Sequence, residues 1–204
     1  VRYTEEKIFE PLGMSNTHFR HDYQMVVKNL ADSYVLTSQG IKHDILSSGY
    51  VGPAGLTTTI EDLALWDQNF YSGQVGGKEV IDRMLTKGRL NNGNEISYAS
   101  GLYIGEYKGL KINEHSGNEA GYQSEILRFP DQRFSVIVLS NLESCDPVST
   151  ARQVAEIYLE KEMKATTKLI KTRAPAKRTE IKINTDIYDA YVGDYKLSFG
   201  IPLK

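Results

Sequence analysis

His115, Ser116, Gly117 and Asn118 follow one another in "NEHSGNEAGYQSEILRFPDQRFSVIVLSN", residues 113–141. An imidazole can move a proton or polarise a bound group, and the next residue adds a hydroxyl. A glycine then leaves no side chain between the backbone and a substrate laid along it. The backbone N–H of Asn118 can donate to an oxyanion. On the margin of a strand, such a row suits acyl chemistry, as one wall of a cleft where a carbonyl is attacked. The same residue types also occur in ordinary polar loops between strands, so the elements around them must decide.

The other chemistry-bearing residues have structural readings. His18, His21 and His43 lie in polar stretches and read as surface histidines. Glu61 and Asp62 are adjacent, and a helix turns adjacent residues apart. They read as a cap and a favourable charge at a helix start. Cys145 is the only cysteine, which excludes an intrachain disulfide and a cysteine metal cluster. There is no Gly-rich phosphate loop, no His-Glu-x-x-His and no metal-ligand spacing, so no cofactor is expected. Twenty-four basic against 26 acidic residues leave a formal charge of -2, with no electrostatic reason to expect nucleic acid. No apolar run of about 18 residues occurs, and no membrane span is expected.

The chain has 204 residues, of which 40% are hydrophobic, enough for one full domain and part of another. Residues 4–10 predict a short helix with Thr4 as N-cap, ended by Pro11 and Gly13. Residues 15–48 read as loop with short strands, the clearest around 33–37. Gly49, Gly52, Pro53 and Gly55 bend the chain. Thr58 and Glu61 have capping-box spacing. Ile60, Leu63, Trp66 and Phe70 then share one helical face, and Gly73 stops the helix. A second short helix is expected over residues 78–86.

From residue 98 the apolar period changes to that of strands. Lys108-Gly109 marks one hairpin, and Pro130-Asp131-Gln132-Arg133 marks another with proline placed for a type I turn. Residues 136–139 suit a strand covered on both faces. A four-strand antiparallel meander over about residues 98–141 follows. Asp146-Pro147 opens a helix whose apolar face, Val148, Ala151, Ala155, Tyr158 and Leu159, should cover the sheet. The fold class is therefore α+β, the sheet covered by a C-terminal helix and by the helices before it. Residues 1–163 form the main domain. Residues 164–184 are strongly basic and read as a solvated linker, with a binding patch as the other reading. Residues 185–204 read as the start of a second, β-rich module, cut short.

In order along residues 5–160, four segments resemble the serine β-lactamase and penicillin-binding-protein superfamily, above all its class C-like esterase and peptidase branch. "IFEPLGMSNTHF" resembles its Phe-x-Pro-Leu-Gly-Met segment. "GPAGLTTTIEDLALW" resembles its Ala-Gly-Gly-Leu-x-Ser-Thr-x-x-Asp-Leu segment. His115-Ser116-Gly117 resembles its Lys-Thr-Gly or His-x-Gly triplet. Gly121-Tyr122, the hairpin and the helix from Pro147 complete the pattern.

The resemblance implies a partial β-lactamase/transpeptidase-like fold and acyl transfer through a serine in Ser-x-x-Lys, aided by a Tyr-x-Asn loop. Neither motif occurs in residues 1–204. The chain thus reads as the C-terminal half of an acyl-serine hydrolase, an esterase, D-amino-acid peptidase, carboxypeptidase or β-lactamase-like enzyme, inactive by itself. The alternative is a binding or regulatory homologue without catalysis. Under the resemblance His115 and Asn118 are the catalytic residues, His115 polarising substrate and Asn118 donating to the oxyanion. Ser116, Gly117 and Tyr122 bind substrate, Gly121 shapes the turn behind the site, and residues 52–56 rim the cleft. The substrate would be a small acyl compound, a peptide or a β-lactam-like molecule. Class C enzymes carry Asn-Pro-Ala-Arg where this chain reads Asp146-Pro147-Val148-Ser149. With lysine replaced by His115 as well, anion binding is weakened, against a true β-lactamase. An exposed sheet edge would favour homo-oligomers, and the family resemblance implies an extracytoplasmic bacterial setting.

Overall fold

Lys108 and Gly109 both take positive φ, 47° and 82°, the backbone of a tight two-residue hairpin turn. The computed structural model describes residues 1–45, 49, 51, 52 and 54–164, together with the backbone of two short strands beyond them. The chain divides into two compact units, Val1–Thr166 and Thr167–Lys204. In the second, β9 (Tyr195–Lys196) pairs antiparallel with β10 (Pro202–Leu203). The expected linker at 164–184, apart from Lys164, and most of the expected module at 185–204 lie outside the described residues.

The first helix starts earlier than expected and runs past Pro11. It comprises α1 (Arg2–Thr4), a π-helical turn (Glu5–Phe9) and α2 (Glu10–Leu12). Thr4 is not a cap but lies inside, its hydroxyl donating to the Val1 carbonyl at 2.6 Å. In the π turn the Glu10 N–H reaches back five residues to Glu5. That shift of the ladder accommodates a proline, which has no N–H to give and would clash in a regular turn. Gly13, with φ 75°, ends the helix as expected. Short pairs follow: β1 (His18–Phe19) with β4 (Leu56–Thr57), and β2 (Tyr34–Thr37) with β3 (Gly40–His43).

Helix α3 (Ile60–Ser72) is capped by Thr59 rather than Thr58, its hydroxyl accepting from the Asp62 N–H at 3.3 Å. Thr58 is diverted to the Thr17 hydroxyl, 2.7 Å away. Asp62 is buried and accepts from the Asn16 N–H at 2.8 Å and the Thr17 hydroxyl at 2.7 Å. Its carboxylate therefore ties the loop after α2 to the start of α3, beyond the dipole role expected of it. The expected apolar face is also modified. Trp66 packs against Phe9, Leu12 and Met14, but Ile60 is exposed, and the buried residues of α3 are Asp62, Asp67 and Asn69. Gly73 ends α3 with φ 62°, its N–H on the Asn69 carbonyl. Helix α4 (Gly77–Met84) follows.

The meander forms as expected, in the order β5 (Tyr103–Tyr107), β6 (Leu110–Glu119), β7 (Tyr122–Phe129) and β8 (Phe134–Ser140). Its first strand starts at Tyr103; Tyr98 makes only an isolated bridge to Tyr103. Helix α5 (Pro147–Leu159) has Asp146 as N-cap, its carboxylate accepting the Ser149 N–H at 2.9 Å. The main core lies between α5 and the sheet: Leu110, Ile112, Leu127, Phe129 and Val136 under Ala151, Ala155 and Leu159. Ala151 and Ala155 are fully buried, small enough to bring the helix down onto Leu127 and Phe129. Each of those two large side chains contributes about 1.5–3 kcal/mol by burial.

Tyr158 leaves the expected face. It is 72% exposed, because the i, i+4, i+8 stripe of 151, 155 and 159 already fills the contact, and its ring lies at the rim beside Phe134. Residues 136–139 are only partly covered on both faces. Val136 and Val138 meet the α5 core, while Leu139 is 40% exposed on the outermost strand.

At the β6–β7 turn, the Tyr34 backbone passes so close to Gly121 that a Cβ would lie 2.4 Å from its oxygen and 2.7 Å from its nitrogen. Tyr34 cannot give way easily, since its N–H is on the Asn141 carbonyl and its carbonyl accepts from Glu143. Gly121→Ala is expected to cost about 1–3 kcal/mol in urea unfolding, as overpacking against fixed backbone does. An unchanged midpoint would contradict that close approach.

Candidate active site

Side chains alternate along a strand, so Ser116 and Asn118 share the face of β6 that carries Ile112 and Glu114 toward α5. Ile112 is in the α5 core, and Arg152 of α5 holds both oxygens of Glu114 at 2.9 and 3.0 Å. Past Glu114 the helix begins, and the sheet face beyond its first turn opens into a hollow of about 430 Å³. Ser116, Gly117 and Asn118 of β6 and Gln123 of β7 form one side, and residues 145–148 at the start of α5 form the other.

His115 is not part of that lining. Alternation turns it to the opposite face, where its ring lies near the start of β5, with the Tyr98 and Tyr103 rings 5.9 and 6.1 Å away. Its Nδ1 is 2.6 Å from the Ser116 carbonyl oxygen, which can only accept, so Nδ1 carries the proton. Nε2 then accepts from the Tyr98 hydroxyl at 3.1 Å. Gly117 faces the same way as His115; a Cβ there would lie 2.5 Å from the hydroxyl of Ser124, its partner across the ladder. An alanine there would require the Ser124 hydroxyl to rotate away.

Tyr122 lies elsewhere. Its hydroxyl donates to the Ala31 carbonyl at 2.6 Å, and it lines a separate, smaller hollow with Arg20, Ser33 and Asp44. Burial raises its hydroxyl above the usual phenol range. The segment before β4 reaches the same strand as the triplet, the Gly55 N–H donating to Glu119 at 3.1 Å.

Residues 1–159 match the family model described as Beta-lactamase. The chain belongs to the Beta-lactamase family. It is 27% identical to Penicillin-binding protein 4* of Bacillus subtilis over 97% of this chain and 46% of that protein. It is 22% identical to a D-aminopeptidase of Gluconobacter oxydans over 74% of this chain and 29% of that protein. The octameric penicillin-binding protein homologue from Pyrococcus abyssi superposes with a TM-score of 0.68 at 27% identity, over 78% of this chain and 37% of that one. The chain therefore spans less than half the length of these relatives.

In this member of the Beta-lactamase family the helix start at the hollow carries Asp146 and no arginine. The cation further along α5, Arg152, is committed to Glu114. Beside that pair lies a residue the sequence did not bring forward. Glu125 of β7 is paired across the ladder with Ser116, is 3% exposed, and its Oε1 has no hydrogen-bond partner among the described residues. Burial first, and the Glu114 charge second, push its carboxyl up to about 7, against the pull of Arg152. Gln123 was missed as well; it is 8% exposed and faces the hollow. Both could have been found from register, since they alternate with the core residues Leu127 and Phe129 on one face of β7.

Proposed function

We propose that this chain is the strand-and-helix half of an acyl-serine hydrolase acting on D-amino-acid peptides, amides or esters. The observation that carries the reading is the hollow where Ser116, Gly117 and Asn118 meet the start of α5. The relatives named D-aminopeptidase and penicillin-binding protein support that substrate range. The attacking serine, its lysine and the Tyr-x-Asn loop come from polypeptide outside residues 1–204. The Asn118 backbone N–H donates to the oxyanion as the tetrahedral intermediate forms, and Ser116 holds the polar end of the substrate. His115, bonded to Tyr98 on the other side of β6, is the residue that would polarise the Tyr-x-Asn loop. The outer edge of β8 is where the missing half, or a second copy, adds a strand.

The chain alone is expected to form no adduct with a serine-reactive fluorophosphonate and to show no turnover of a p-nitrophenyl ester. Joined to a segment that carries Ser-x-x-Lys and Tyr-x-Asn, it is expected to label and to turn over. Labelling of the isolated chain at one of its own serines, or a joined protein that stays inert, would overturn the reading.

A further inference from the structure

The hollow beside Ser116 differs from an ordinary surface dent in one respect. Gln123 is 92% removed from solvent and lines it, yet its side-chain amide meets no hydrogen-bond partner among the described residues. The amide opens onto the hollow, so a ligand group there can pair with it. The charges around it have a definite sign. Asp146 stands at the rim with one oxygen used on the Ser149 N–H. No lysine, arginine or histidine lines the hollow among the described residues, and Arg152 is spent on Glu114. Ser116, Asn118 and Gln123 all offer oxygen acceptors.

We propose that the hollow formed by Ser116, Asn118, Gln123 and Asp146 is a substrate subsite that takes an ammonium-bearing end and disfavours a carboxylate. The proposal rests on the hydrolase reading for the meaning of the subsite, but not for the binding itself. An ammonium has three donors for the three uncharged acceptors, and it meets the Asp146 charge with attraction where a carboxylate meets repulsion. The helix start by itself would favour an anion, and Asp146 offsets it.

The test uses the 204-residue chain, labelled with ¹⁵N, and three small ligands built on D-alanine: D-alaninamide, N-acetyl-D-alaninamide and N-acetyl-D-alanine. The side-chain amide signals of Asn118 and Gln123 are followed during titration. D-alaninamide is expected to shift both and to bind about tenfold tighter than N-acetyl-D-alanine, with the neutral ligand between them. Asp146→Asn keeps the cap, because asparagine caps as well as aspartate. It is expected to bring the charged ligands to within about twofold of each other. Equal or tighter binding of N-acetyl-D-alanine to the unmodified chain, an unchanged preference in Asp146→Asn, or no saturable shift with any ligand would each overturn the proposal. Fluorophosphonate labelling does not depend on which head group binds, so the subsite and the hydrolase reading can fail separately.

Discussion

Arg128→Met is expected to lower the free energy of unfolding by about 3–5 kcal/mol, the cost of leaving one charge of a buried pair without its partner. Arg128 is 1% exposed, on the face of β7 turned away from α5, and its Nε donates to Asp67 of α3. Asp67 also accepts from the Ser135 hydroxyl at 2.8 Å, so this one carboxylate ties α3 to both β7 and β8. The guanidinium lies 4.0 Å from the centre of the Phe70 ring, a stacked position that a lysine could not fill in the same way. Methionine would keep much of the volume but strand Asp67 as a buried carboxylate. The double variant Arg128→Met, Asp67→Leu removes both charges and is expected to recover most of the loss, because the desolvation of the pair disappears with it. Urea unfolding followed by circular dichroism gives both values. A single-variant loss below about 1 kcal/mol, or a double variant no better than the single, would show that the pair does not hold α3 to the sheet.

That pair illustrates what the sequence could and could not reveal. The hairpins were legible because their turn chemistry is local. Lys108-Gly109 supplies positive φ, Pro130 supplies the fixed φ of a type I turn, and Asp146-Pro147 supplies a cap with a first-turn proline. Gly73 stopped its helix for the same kind of reason. The cap of α3 was misplaced by one residue because 57–59 are all threonines. The choice among them is made by Thr17, which takes Thr58, far away along the chain. Ser116, Gly117 and Asn118 could be read as one wall of a cleft. That His115 faces the other way depends on register, which a strand of this length only acquires from its neighbours. Polar residues at alternate positions of β7 look like a solvent face in isolation. Only the packing on the two faces of the sheet, α5 on one and α3 on the other, turns Glu125 and Gln123 on the first and Arg128 on the second into buried groups.

Glu125 makes the second large expectation, and it concerns pH. In the folded chain its carboxyl keeps its proton up to about pH 7, whereas an ordinary glutamate releases it near 4.5. Between those values the folded state binds more protons than the unfolded one. Stability should therefore fall as pH rises through that window and level off above it. Each unit of difference is worth about 1.4 kcal/mol, so a rise from 4.5 to about 7 costs the fold about 3.5 kcal/mol at pH 8, with little screening for a side chain only 3% exposed. Glu125→Gln has nothing to ionise. It is expected to be more stable than the unmodified chain by that amount at pH 8 and to match it at pH 4. The neighbouring charges supply an independent check. Arg152 is shared by two carboxylates, Glu114 holding it and Glu125 left over. Glu114→Gln frees the guanidinium to pair with Glu125, so that variant should also flatten the slope between pH 4.5 and 7, this time by letting Glu125 ionise rather than by removing it. If both variants kept the slope of the unmodified chain, the proton would have to reside elsewhere, and the carboxyl beside Ser116 would be charged at neutral pH.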